Sequence, residues 1–140
     1  MVDNAIDVDL INSICKNTLM EHLQIEYFKD STNNLYAKML VTQKHMQPMG
    51  ILHGGASLAL AESLGSAWSF LKVEIGKYNV VGHNIQATHL RPSKNGILTA
   101  TCNPIHIGKK THVLDITIKD NQDKTISVCR ITNLILKITE

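Results

Sequence analysis

The sixteen residues from His53 to Trp68 carry a single charge, Glu62, and open on the glycine pair Gly54-Gly55. The run reads as one long helix from Gly54 to about Val73, nearly 30 Å at 1.5 Å per residue. A helix this apolar on every side is expected to be buried, wrapped by a sheet or by a second subunit. Glu62 and Ser66 are four apart and share a face, which Leu58 and Ala59 continue toward the helix start. The carboxylate therefore points among small and apolar neighbours, where an ionised group costs several kcal/mol unless it has a partner or a task. At the helix start the two glycines leave backbone N–H groups accessible, and the helix dipole favours negative charge there. One helix thus offers both an oxyanion site and a catalytic carboxylate. The plainer alternative is a core helix whose Glu62 reaches solvent or an arginine, with glycines chosen for tight packing.

The rest of the chain supplies a sheet to wrap that helix. Asp9 to Leu19 carries an apolar stripe at helical spacing, with Asp9 as N-cap. Leu23 to Phe28 and Leu35 to Val41 read as strands around the polar turn 29–34, followed by a loop from Thr42 to Gly50. After the helix come strands at Asn79 to Leu90, Ile97 to Ile107, Lys110 to Lys119 and Thr125 to Ile138. Strict alternation in 113–119 marks one face as buried. The fold class is α+β: a curved antiparallel sheet around one long central helix, in one domain spanning residues 1–140. A thin sheet covers such a helix incompletely, which points to a second subunit.

Composition narrows the function. With 140 residues, a net charge of +2 and 19% charged residues, the chain lacks the basic excess of a nucleic-acid or anionic-membrane binder. No apolar run approaches the length of a membrane span, and the N-terminus does not resemble a signal peptide. Three cysteines without close pairs read as reduced core thiols, hence a cytoplasmic protein. No short-spaced ligand cluster suggests a metal, no GxSxG elbow suggests a serine hydrolase, and no phosphate loop follows His53-Gly54-Gly55.

Carboxylate chemistry at Glu62, with polar groups from the preceding loop, is what remains. The stretch Gln47-Pro48-Met49-Gly50-Ile51-Leu52-His53-Gly54-Gly55-Ala56-Ser57, together with Ala61-Glu62-Ser63-Leu64-Gly65-Ser66, resembles the signature of hotdog-fold acyl-CoA thioesterases. The subgroup it is most similar to hydrolyses aryl-CoA and related thioesters, including those of the menaquinone and enterobactin pathways. The likeness continues through residues 80–92 and 103–108 and spans about residues 8 to 137. It implies that Glu62 acts as nucleophile or as base on water, and that the Gly54 N–H holds the oxyanion. It further implies that Gln47 positions the acyl carbonyl or the water, that His53 orients the site, and that Ser66 hydrogen-bonds the water or the carboxylate. In such relatives the loop groups and the helix carboxylate come from different subunits, which implies a homodimer, assembled further into a homotetramer. No cofactor is implied beyond the coenzyme A of the substrate.

Coenzyme A carries phosphates, so basic groups belong at the mouth of the site. His89, Arg91, Lys94, Lys109 and Lys110 fall near strand ends or turns; His89 and the Gly108-Lys109 turn match family positions best. Trp68 and Met49 are candidates for an acyl pocket. Each residue also has a plainer reading: His53 as a helix cap, Gln47 fixing its own loop, Ser66 as a small packing residue, the lysines as solvated turn charges. Two competing functions stay open, a hotdog dehydratase or hydratase moving a proton with His53, and an acyl-CoA-binding protein without turnover.

Overall fold

The computed structural model describes residues 5–139. Its centre is helix α3, Gly54–Phe70, seventeen residues capped by His53. Six antiparallel strands curl around it: β1 (Ile25–Lys29), β2 (Leu35–Leu40), β3 (Tyr78–His89), β4 (Ile97–Ile107), β5 (Thr111–Lys119) and β6 (Thr125–Lys137), in the spatial order β1-β2-β4-β5-β6-β3. The expected sheet wrapped on one helix is therefore present, with strand ends within two residues of the sequence reading.

Burial explains why α3 sits where it does. Leu60, Ala61 and Leu64 lose all contact with solvent against Met39, Leu98, Leu114, Ile116 and Ile131 of the sheet. Each such leucine contributes about 1.5–3 kcal/mol of transfer free energy. Small residues on this stripe set the helix–sheet distance. A Cβ on Gly65 would lie 2.6 Å from Ile131 Cγ2, so only glycine lets the two elements approach this closely. Asn133, buried on β6, fastens the contact by donating from Nδ2 to Gly65 O (3.1 Å) and Ser69 Oγ (2.9 Å).

Two expectations need correction. The N-terminal helix does not run from Asp9 to Leu19: α1 is Val8–Ile14, and α2 is a separate turn, Leu19–His22. Its N-cap is Asp7, whose carboxylate accepts from Leu10 N–H at 2.9 Å, and Asn17 at φ 60° breaks the helix. The central helix stops at Phe70 rather than Val73, because Leu71 closes it and the chain turns at Gly76, φ 85°. Within one chain α3 is fully buried on one side only. Its sheet-facing half is dry, whereas Glu62 is exposed within one chain.

Strand β3 is a free edge of the sheet among the described residues. It is twelve residues long and contains no Asp, Glu, Lys, Arg or Pro. Edges left to solvent are normally short, charged or broken by proline, because unpaired N–H and C=O groups otherwise recruit another strand.

Candidate active site

The polar groups of the loop that precedes α3 gather at the start of the helix, and a buried histidine organises them. His45, 1% exposed, closes the short 3-10 turn Gln43–His45. Its Nδ1 accepts from Thr42 N–H (2.9 Å), so Nε2 carries the proton and donates to Leu23 O (2.8 Å). The His45 carbonyl accepts from His53 N–H at 2.8 Å, and Met46 bridges to Leu52. The loop between is closed by Gln47 N–H to Ile51 O and Gly50 N–H to Gln47 O, both 2.9 Å, with Gly50 at φ 73°.

His53 caps α3: its Nδ1 accepts from Gly55 N–H at 2.8 Å. That bond leaves the preceding donor, Gly54 N–H, without an acceptor among the described residues. Gln47 Oε1 accepts from Met49 N–H at 2.5 Å, so the loop-fixing role is real for its oxygen, and its amide nitrogen is left to donate. His89, at the end of β3, lies over Gly54; a Cβ on that glycine would be 2.5 Å from His89 Nε2. The ring is held from the other side by Ser127 Oγ, 3.0 Å from Nδ1, and the Ser127 hydroxyl donates to Thr88 O at 3.3 Å. With its one proton so used, Ser127 accepts from His89 Nδ1–H, and Nε2 is the ring atom turned toward Gly54. Gln47, Gly54, His89 and Arg91 line one cavity of about 440 Å³. Arg91 donates to Thr125 O at 2.7 Å and is otherwise exposed, a cation at the rim.

The helix carboxylate belongs to a different cavity. Glu62, Ser63 and Ser66 line a chamber of about 560 Å³ between α3 and the N-terminal helices. Glu62 leans on the free edge of the sheet: a Cβ on Gly82 would collide with its Oε1, and the β3–β6 register shifts between Gly82 and Asn84 at that point. Eight residues separate Gly54 from Glu62, about 12 Å along the helix. One chain thus holds the Gly54 N–H and the Glu62 carboxylate too far apart to act on one carbonyl carbon.

The remaining expected residues divide likewise. Gly108 and Lys109 lie past the other end of α3, in a third cavity of about 560 Å³ with Lys72, Tyr78 and His112. They do not meet His89 and Arg91 within one chain. Met49 is 81% exposed and Trp68 packs at the core's margin under Lys72, so neither lines the Glu62 chamber. His45 and Ser127 were not singled out by the sequence; nothing in their spacing distinguishes an organising side chain from an ordinary buried one.

Residues 49–127 match the model of the thioesterase superfamily. A Pasteurella multocida protein described as a candidate esterase is 44% identical over 125 residues, 89% of either chain. The proofreading thioesterase EntH of Klebsiella pneumoniae is 38% identical, over 90% of this chain and 91% of its own. A crystal structure of a thioesterase variant from Pseudomonas aeruginosa superposes with a TM-score of 0.93 at 36% identity, covering 96% of this chain and 97% of that one.

Proposed function

The chain belongs to the thioesterase superfamily, with the hotdog fold, and on that premise we propose that it hydrolyses an acyl-CoA to the free acid and coenzyme A. The observation that carries this reading is the unaccepted Gly54 N–H at the positive end of a long helix that also bears Glu62. Thioester hydrolysis needs both at one carbonyl, and one chain separates them by about 12 Å. A homodimer resolves the separation. Antiparallel pairing of the uncharged edge β3 with the same edge of a second copy would reverse the two helices, bringing the Gly54 end of one toward the Glu62 region of the other.

In such a site Glu62 attacks the thioester carbonyl, or takes a proton from the water that does. The carbonyl oxygen becomes an oxyanion held by Gly54 N–H and the helix dipole; one such donor is worth about 10²–10³-fold in rate. Collapse breaks the C–S bond and expels the CoA thiolate, which is protonated. If an anhydride with Glu62 has formed, water then cleaves it; either route consumes one water. The Gln47 amide donates to the acyl carbonyl or the water, and Ser66, one turn after Glu62, bonds the water or the carboxylate. His53 acts by capping, which leaves Gly54 N–H unaccepted. His89 and Arg91 from one copy, with Gly108 and Lys109 from the other, meet the phosphates of coenzyme A. An aromatic or hydroxylated acyl group is the substrate class that the resemblance of residues 47–66 to aryl-CoA thioesterases implies.

Free-thiol release from benzoyl-, hydroxybenzoyl- and hexanoyl-CoA tests the reading, with Glu62→Gln beside wild type. Release that falls at least 10²-fold in the variant, without a change in melting temperature, supports it. No release from any thioester, or equal rates in the variant, refutes it.

A further inference from the structure

The Glu62 chamber is walled by two kinds of surface. On one side is the half-buried stripe of α3: Ala59, Ser63, Ala67 and Phe70, with Ser66 beside the carboxylate. On the other are Ile11, Ile14 and Cys15 of the α1 region, with Leu19 and Met20 of α2. Tyr27 forms the floor, 2% exposed, and its hydroxyl donates to Ser63 O at 3.0 Å. That bond uses the phenol's only proton, and burial pushes its pKa up, so the hydroxyl stays neutral. Among the described residues, no charged side chain apart from Glu62 lines the space, and no Lys, Arg or His does.

The helical wall is fastened rather than draped. Asn12 on α1 donates from Nδ2 to Tyr27 O (3.0 Å) and accepts from Tyr27 N–H at its Oδ1 (2.9 Å). A side-chain amide thereby pairs with the outer edge of β1 as a neighbouring strand would, and fixes α1 over the chamber. Phe70 stands eight residues beyond Glu62, about 12 Å along the axis, and lines that end of the chamber.

We infer that the chamber between α1–α2 and α3 holds the acyl group of the substrate, that it selects uncharged acyl groups, and that Met20 and Phe70 set the size it accepts. This rests on the acyl-CoA reading, because it places the thioester at Glu62 with the acyl group running along α3 toward Phe70. An acyl group ending in a carboxylate would be buried without a counter-charge, beside a second carboxylate at the mouth, which costs far more than a lost methylene contact. Ring and chain substrates share the required chemistry, and the assay has an arm for each.

The test uses non-hydrolysable thioethers, so that it does not depend on turnover. Binding of S-benzyl-CoA, S-hexyl-CoA, S-decyl-CoA, S-(5-carboxypentyl)-CoA and CoA itself is measured by calorimetry on the full chain, wild type, Met20→Trp and Phe70→Ala. In wild type the carboxypentyl compound binds at least 100-fold more weakly than S-hexyl-CoA. Met20→Trp weakens the benzyl and hexyl compounds at least tenfold and leaves CoA unchanged, and Phe70→Ala improves S-decyl- relative to S-hexyl-CoA at least tenfold. A merely structural effect would move CoA and the thioethers together. Equal binding of hexyl and carboxypentyl compounds, or a size order unmoved by either substitution, overturns the inference. If this pattern holds while no thioester is hydrolysed, catalysis by Glu62 fails and the chamber stands.

Discussion

Gly54→Ala probes the junction of helix start and His89. The new Cβ would sit 2.5 Å from His89 Nε2, roughly 1 Å inside ordinary contact. The helix backbone at this position is fixed by the His53 cap and the first turn, so the movable party is the imidazole. Swinging it away lengthens or breaks its 3.0 Å bond to Ser127 Oγ, a loss of about 0.5–1.5 kcal/mol. Replacing glycine by alanine at a helical position returns about 0.5–1 kcal/mol, so the two nearly cancel and the melting temperature stays close to wild type. Activity does not share in that cancellation. A displacement of about 1 Å among groups that position a substrate costs about 10²-fold in rate. Thiol release from benzoyl-CoA, measured for wild type, Gly54→Ala, His89→Ala and the double variant, reads both terms. The expected result is a fall near 10²-fold for Gly54→Ala and little further loss when His89 is already absent. Activity within threefold of wild type in a folded Gly54→Ala protein, or fully additive losses, refutes the claim that His89 must lie on this glycine.

Other substitutions test neighbouring parts of the account. Gly82→Ala places a methyl against Glu62 Oε1 on an exposed edge strand; kcat falls at least tenfold while the melting temperature changes little, as thiol release and thermal denaturation together show. Tyr27→Phe removes the hydroxyl bound to Ser63 O and lowers stability by about 1 kcal/mol, a shift of a few degrees by calorimetry. His112 is buried with Nδ1 unpartnered; burial lowers its pKa most, His106 adds to that, and a backbone bond with Gly108 opposes it. Its folded pKa thus lies below the unfolded value of about 6.5, so between the two the unfolded chain binds the extra proton. The contribution is fully present above pH 6.5 and declines as the pH falls toward the folded pKa; His112→Phe flattens the loss of urea resistance between pH 7.5 and 5.5. Cys102, its thiol raised to about 12 by burial and then by Asp115, stays unalkylated by iodoacetamide at pH 8 in the native protein and reacts after urea unfolding.

How much of this was legible in the sequence depended on whether the signal was local. Alternation in 113–119 and the polar turns placed the strands, because a strand's inside and outside differ at every residue. The central helix and the shared face of Glu62 and Ser66 followed from spacing alone. The N-terminal break did not: the apolar stripe runs on through Thr18 and Leu19, and only Asn17 at positive φ interrupts it. The exposure of Glu62 within one chain has a related reason. Apolarity all round α3 calls for cover on both faces, and within one chain the sheet covers one while Glu62 stays exposed. The grouping of His89 and Arg91 with Gly108 and Lys109 depended on where β3 and the β4–β5 turn fall along α3, which no residue pattern encodes.

The central claim is a thioesterase site completed by two copies, and mixed inactive variants test it most directly. Gln47→Ala and Glu62→Ala remove groups from the two cavities of one chain. Each variant alone is expected to release little thiol from benzoyl-CoA. Mild denaturation and refolding of an equal mixture should regain about a quarter of wild-type activity, because half of the dimers are mixed and each carries one intact site. A mixture no more active than its components, with mixed dimers demonstrated by mass, would contradict the shared site.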